Sequence, residues 1–486
     1  MAMRRRTLEF IHSASFSKDE ESDQLLALSS RFQKEKKRKD SQITLRKEEN
    51  ILTYEYRYRE DSQAFPAGRP HFVNVPHCIF MVGLPARGKT YIASKLSRYF
   101  NWRGIPTKVF SVGEYRRKAA GMDLKHDFFD PQNAEAEKLR RTAYDQALNE
   151  GKKWLQESDY HKVMIVDATN GTKEKRKNAF EFCLQNNIKP FFIESLCDEQ
   201  DIIESFIRNL KVYSPDYTTT MTQNAYIDDY RLRLEHYEAI HEEISDTCEL
   251  EKGFSYIKII NAGKQYLVNK INGYLQSQVM YYLMNIHMQG RSLYITVHGE
   301  CEYNVDKEVG GSSGLTESGK KFGNALHEYV KKENIQNLKV WTSSRTGPLE
   351  TAKYIDGPSE VWRALDYLNV GSCHGMKFAD LAQKFPNIFS GHKGPLDIYW
   401  RYPGGESYQD MLSRLEPVIM ELERQRNVLI IAHRTTVRCL MAYFLDHNPD
   451  EVAHIHVPLH TVFKLTPVAY GCRVEKASLN GNGVLM

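Results

Sequence analysis

Two short stretches of this chain carry residue types arranged for phosphate chemistry. The first is GLPARGKT, Gly83 to Thr90, which fits G-x-x-x-x-G-K-[ST]. Each type has a physical task. Gly83 and Gly88 let the backbone come close to an anion. The loop amides and the following helix N-terminus cradle nucleotide phosphates. Lys89 reaches the β- and γ-phosphates, and the Thr90 hydroxyl suits Mg²⁺. The second stretch is a pair of strand-end histidines, His298 in YITVHGE and His433 in VLIIAHRTT. A neutral imidazole can attack phosphorus and carry it as phosphohistidine. A second imidazole at a strand-to-helix turn can hold the transferring oxygens, helped by the helix N-terminus. One such histidine is as easily structural; two at matching strand ends describe one site.

These residues need elements to position them. HCIFMV enters the glycine loop as an apolar strand, and KTYIASKLSRYF leaves it as an amphipathic helix. VMIVDATN places Asp167 after four apolar residues, where its carboxylate can hold the Mg²⁺ shell or take a proton from an attacking hydroxyl. TKVFSV and KPFFIESL read as further strands, AYIDDYRLRLEHYEAIHEEI as a helix and SYIKII as another strand. Strands alternating with helices give a parallel α/β sheet. The basic runs GEYRRK (113–118), KLRR (138–141) and TKEKRK (172–177) recur after strands or on the next helices. Each alone is ordinary solvated charge; together, near strand ends, they favour a shared anionic pocket. From about residue 289 the strand–helix cycle starts again, with no repeat at a 20–50-residue period.

The chain has 486 residues, long enough for two or three domains, with 41% hydrophobic and 26% charged residues. Its net charge of +4 argues for neither nucleic acid nor membrane as partner. No apolar run is long enough to span a bilayer, and the first residues lack an apolar signal core. A mitochondrial presequence is the minor alternative to a cytoplasmic protein. The eight cysteines form no CxxC pair, which suits free thiols and no zinc site. Residues 1–70 read as a flexible charged extension. Within it, RRRT (Arg4 to Thr7) is open to two readings, a kinase target or a solvated tail, and KEKKRK (34–39) reads as a nuclear signal or as charged surface.

From 71 to 475 the chain resembles the 6-phosphofructo-2-kinase/fructose-2,6-bisphosphatase family. The likeness rests on VGLPARGKTYIASKL, VFSVGEYRR, VDATN, FFIESLCD, SPDY, YYLMNIH, HGE, RYPGGESYQDMLSRLEPVIMELERQ and PLHTVFKLTPVAYGCRVE, in the family's order. It implies a P-loop kinase domain over 71–288 and a histidine-phosphatase-type α/β domain over 289–486. It implies ATP and Mg²⁺, phosphorylation of fructose 6-phosphate at O2, and a homodimer. Gly83, Leu84, Pro85, Ala86, Arg87, Gly88, Lys89, Thr90 and Tyr91 match the phosphate loop, with Asn209 and Lys211 in a tract that also touches ATP. Asp167 matches the catalytic aspartate. Arg116, Arg140, Thr169, Lys175, Lys211, Arg233 and Tyr237 fall where the family binds fructose 6-phosphate, Lys175 replacing the usual arginine. His298 and His433 match the paired histidines, and Asn304, Gly310 and Arg401 the positions near fructose 2,6-bisphosphate.

The departures gather around the histidines. Val297 stands where the family has arginine; Gly347 where arginine is frequent; His374 and Gly375 where it has two acidic residues, one the acid for the leaving oxygen; Gly404 where lysine is common. A general acid is worth about 10²–10⁴ in rate and one electrostatic stabiliser about 10²–10³. The expectation is therefore an active kinase fused to a weak or inactive bisphosphatase. Two alternatives stay open: a balanced bifunctional enzyme in which Arg434 (glutamine in the family) and His374 take over the lost roles, and a non-catalytic protein that senses sugar phosphate.

Overall fold

The computed structural model describes residues 75–485 apart from 123, 158–161, 214–222, 246, 249–250, 289, 387–395, 469–470 and 481–482, and it leaves the side chains of 209–213, 223–226, 382, 480 and 483–485 undescribed. The expectations for residues 1–70, including RRRT and KEKKRK, and for the Asn209 and Lys211 side chains fall outside this set. The described chain forms two compact units, one of residues 75–290 with 468 and 471, the other of described residues within 291–467 and 472–485.

The first unit is a six-stranded sheet in the order β2-β3-β1-β4-β5-β6. Its strands are β1 (His77–Val82), β2 (Thr107–Ser111), β3 (Val163–Asp167), β4 (Lys189–Leu196), β5 (Tyr256–Ile260) and β6 (Gln265–Asn269). Its helices are α1 (Lys89–Trp102), α2 (Val112–Ala120), α3 (Ala134–Gln156), α4 (Lys173–Gln185), α5 (Gln200–Tyr213), α6 (Gln223–Glu238) and α7 (Tyr274–Leu283). Both faces of the central strands are covered, so β1 and β3 are buried at every position and read as continuous apolar runs, as parallel strands do. On one face Phe80, Phe192 and Phe254 stack at ring distances of 5.3 and 4.5 Å, beneath Ala147 of α3 and Ala179 of α4. On α1, Tyr99 stacks on Tyr282 of α7 at 4.4 Å. Two features differ from the sequence reading. The sheet is mixed, because β6 runs antiparallel to β5; it is an edge strand with two exposed apolar residues and no alternation to announce it. Helix α6 stops at Glu238 rather than continuing to Ile244, because the next residues turn back, with Glu242 N–H bonding Gly171 O at 2.7 Å.

The second unit is a seven-stranded sheet, β13-β12-β11-β7-β10-β8-β9. It comprises β7 (Ser292–Val297), β8 (Lys339–Thr342), β9 (Ser359–Val361), β10 (Asn427–Ala432), β11 (Thr461–Val468), β12 (Gly471–Asn480) and β13 (Gly483–Leu485). Helices α8 (Glu302–Asp306), α9 (Glu317–Glu333), α10 (Thr346–Ala352), α11 (Phe378–Lys384), α12 (Tyr408–Arg414), α13 (Glu416–Arg424) and α14 (Arg434–Leu445) flank it. Phe322 and Leu326 of α9 pack on Leu429, Ile431 and Val462 of the sheet. Strands β7 and β10 are parallel neighbours in the register Val297↔Ala432. That register brings the two strand-end histidines out side by side.

Candidate functional site

In the first unit the glycine loop leaves the C-terminal end of β1. Gly83 has φ 126°, and a Cβ there would sit 2.4 Å from Ser195 O on β4, so no side chain fits. Ala86 and Gly88 are also left-handed, at φ 54° and 78°. Gly88 caps α1 without any side-chain bond, leaving the first-turn amides for an anion. Lys89 is buried and donates to Leu84 O. Burial lowers its ammonium to a pKa of about 7, with Arg87 and Arg233 adding to the effect and Asp167 opposing it. Thr90 Oγ1 donates to Asp167 Oδ2 at 2.9 Å, and Ser111 Oγ donates to the same oxygen at 3.4 Å. Burial pushes the Asp167 carboxyl up, and Lys89 and these hydroxyls partly offset the rise. One hydroxyl and one carboxylate, both hard oxygen donors beside an anion cradle, suit Mg²⁺, which keeps several waters and takes the rest from phosphate. Among the described residues no group of three or more His, Cys, Asp or Glu forms a dedicated metal cage.

Other loop residues serve its frame. Arg87 donates to Cys197 O (3.0 Å) and Pro85 O (3.3 Å), which ties the loop to the end of β4. The Tyr91 hydroxyl donates to His287 O at 3.1 Å. Thr169, Lys175 and Tyr237 line one small cavity together with Gly83, Leu84 and His241. Arg116 and Arg233 converge on the Phe129 ring, at 5.1 and 3.7 Å from its centre. Arg140 lies over Phe128 at 5.9 Å and bonds Glu137. Residues from β1, β3, α2, α3, α4 and α6 are thus gathered at the C-terminal edge of the sheet, where β3 and β4 flank β1. Phe129, Glu137 and His241 escaped the sequence reading. Phe129 had a signal, the aromatic pair of HDFF in an otherwise polar segment; the other two had none.

In the second unit His298 N–H donates to Ala432 O at 3.0 Å, and the His298 and His433 rings meet edge to face with centres 4.9 Å apart. His298 Nδ1 donates to Gly299 O at 2.7 Å, so Nε2 carries the free lone pair a nucleophile needs. Burial lowers the pKa of His298 to about 4, so the ring is neutral at ordinary pH. His433 caps α14 and is also held neutral by burial, with His298, Arg345 and Arg414 adding their charge. Ser343 Oγ accepts from Arg345 N–H (3.2 Å) and shares a hydrogen bond with His433 Nε2 at 3.0 Å.

The departures read differently in three dimensions. Val297 is buried and apolar in the β7 core. A Cβ at Gly347 would meet Cys301 Sγ at 2.6 Å and His298 Nδ1 at 3.2 Å. His374 is exposed, but its ring crowds Gly310, whose Cβ would lie 3.1 Å from Nε2. Arg345 is held by Asp366 (3.4 Å) and Ser312 (3.4 Å). The charge of Arg434 acts on His298. Two expected ligands are engaged elsewhere: Asn304 accepts from Cys301 N–H at 2.9 Å as part of a helix cap, and Arg401 pairs with Asp410 at 2.7 Å.

Two family profiles match this chain in succession, 6-phosphofructo-2-kinase over residues 67–290 and histidine phosphatase superfamily (branch 1) over 293–480. A 6-phosphofructo-2-kinase/fructose-2,6-bisphosphatase 3 of Rattus norvegicus is 46% identical over 415 residues, 85% of this chain and 74% of that protein. The form 1 protein of Mus musculus is 45% identical over 416 residues, 85% of this chain and 87% of the other. The protein of Aquarana catesbeiana is 46% identical over 412 residues, 85% and 86%. The chain belongs to the 6-phosphofructo-2-kinase/fructose-2,6-bisphosphatase family. As a member of that family, it combines an assembled phosphate loop in its first unit with a second unit whose histidine pair is in place.

Proposed function

We propose that this family member phosphorylates fructose 6-phosphate at O2 with ATP, giving fructose 2,6-bisphosphate, a regulator of glycolysis, and that its bisphosphatase domain turns over weakly or not at all. The observation that carries the kinase half is the Thr90–Asp167 contact at the mouth of the phosphate loop, beside buried Lys89. Loop amides and the α1 N-terminus receive the ATP phosphates. Lys89 stabilises charge on the transferring group. Asp167 orients or deprotonates the sugar hydroxyl, a task favoured by its raised pKa. Thr90 and Asp167 would hold Mg²⁺, which would supply positive charge against the nucleotide phosphates. Thr169, Lys175, Tyr237, Arg116, Arg140 and Arg233 would take the sugar phosphate. Lys89→Met tests this: kinase turnover should disappear with the fold unchanged, and retained turnover would sink the assignment.

For the second domain, His298 keeps a nucleophile's tautomer, while Val297, Gly347 and His374 remove two cations and the acid that the family supplies. A balanced bifunctional enzyme is the second reading, favoured by the action of Arg434 on His298. We also propose a cytoplasmic homodimer. No described helix is long and apolar enough to cross a membrane. Edge strand β6 exposes Leu267 (43%) and Val268 (39%) along an edge that no other described strand pairs, a surface that proteins usually cover. Sedimentation of the wild type and of Val268→Lys tests the dimer.

A further inference from the structure

Two cations of the proposed sugar-phosphate pocket share one anionic partner, Glu137. Its Oε2 accepts from Arg140 Nε at 3.0 Å and from a terminal nitrogen of the same guanidinium at 2.6 Å. Its Oε1 accepts from Lys175 Nζ at 3.3 Å. Arg140 and Glu137 are three residues apart on α3, an ordinary helical pair. Lys175 is different: it comes from α4 and lines the cavity beside Gly83, Thr169 and Tyr237. Helix geometry does not account for that second contact. Arg140 offers Glu137 the Nε and terminal N–H pair with which arginine takes a phosphate, here with both donors on one carboxylate oxygen. The remaining Arg140 contacts are to Phe128 O and Asp130 O, which fix the guanidinium plane. Burial alone would raise the Glu137 carboxyl; the Arg140 hydrogen bond and the Lys175 charge outweigh it and hold it below the usual range, so it is anionic at neutral pH.

We propose that Glu137 is a built-in competitor for the phosphate group of the sugar phosphate: its carboxylate occupies Arg140 and Lys175 until substrate displaces it, and so sets the Michaelis constant for that substrate. The inference rests on the reading that these two cations bind the sugar phosphate. A phosphate dianion arriving beside an ionised carboxylate meets like charge, so Glu137 must swing aside. Its side chain is 39% exposed, so it can turn into solvent without backbone movement. Removing the carboxylate leaves both cations unneutralised and raises the positive potential of the pocket. Glu137 touches no reacting atom; it acts through Arg140 and Lys175.

The test is steady-state kinase assay of the full chain with fructose 6-phosphate varied at saturating Mg·ATP. Glu137→Gln keeps size and removes charge. It should lower KM for fructose 6-phosphate about two- to fivefold, the scale of one partly exposed ion pair, with kcat within about twofold and KM for ATP unchanged. Inorganic phosphate, as a probe of the same cations, should inhibit Glu137→Gln more strongly than wild type. Arg140→Ala is the companion variant and should raise KM for the sugar phosphate. If it does, but Glu137→Gln leaves KM unchanged or raises it, the inference is overturned and the pocket stands. If Arg140→Ala leaves KM unchanged, the pocket reading falls and takes the inference with it.

Discussion

The thiol of Cys301 lies 3.3 Å from Nδ1 of His298, in the space that a side chain at position 347 would need. Glycine at 347 is thus a packing arrangement: it admits the sulfur, and the sulfur excludes anything larger. Gly347→Arg alone should cost about 1–3 kcal/mol of stability, the range of an overpacked core. Cys301→Ala in the same chain should recover most of that loss. Denaturant unfolding of both single variants and the double variant gives the coupling. Additive effects would mean that the two positions are independent.

Lys89 should take up a proton when ATP binds. Burial holds its pKa near 7 in the free protein, so at pH 8 the amine is largely neutral. Nucleotide phosphates favour the charged form. Calorimetry of Mg·ATP binding at pH 8, in buffers of different ionisation enthalpy, should show uptake approaching one proton. The uptake should vanish in Lys89→Met.

Asp167→Asn should keep the fold and the Thr90 contact but lose the base. The expected loss is about 10²–10⁴ in kcat for the kinase, the usual worth of such a group. Circular dichroism should be unchanged. A loss under tenfold would show that Asp167 only orients the hydroxyl.

His298 should make the second unit acid-sensitive. Its folded pKa of about 4 lies below the value near 6.5 of an exposed histidine. The folded state therefore binds fewer protons than the unfolded one, and stability falls as pH drops from about 6.5 to 4. The full difference corresponds to roughly 3 kcal/mol. The lowered His433 acts in the same direction. His298→Gln should flatten the fall in unfolding midpoint over that window by up to about one proton's worth of slope. An unchanged slope would contradict the burial argument.

Much of this was legible in the sequence because it is local. HCIFMV followed by GLPARGKT specifies a buried strand, a loop and a helix start. VMIVD ends on Asp167 because a parallel strand covered on both faces reads as an unbroken apolar run. The pairing of His298 with His433 followed from two strand-end patterns of the same form, and the Val297↔Ala432 register explains why the pattern sufficed. What could not be read depends on contacts between segments distant in the chain. Glu137 looks like any helical surface acid until α4 brings Lys175 to it. Gly347 looks like a simple deletion of charge until Cys301, 46 positions earlier, is seen in its place. The partners of Asn304 and Arg401, expected ligands by position, were likewise unreadable: the first caps α8 and the second pairs with Asp410.

The central claim is that the first unit makes fructose 2,6-bisphosphate and the second does not remove it at a comparable rate. The direct measurement is release of fructose 6-phosphate from fructose 2,6-bisphosphate by the purified full chain without ATP, beside the forward kinase rate of the same preparation. The account predicts robust kinase turnover and negligible release. Release at a rate comparable to the kinase would contradict it, and would mean that Arg434 or His374 supplies the charge and the acid that the family likeness leads one to expect at 297, 347 and 374.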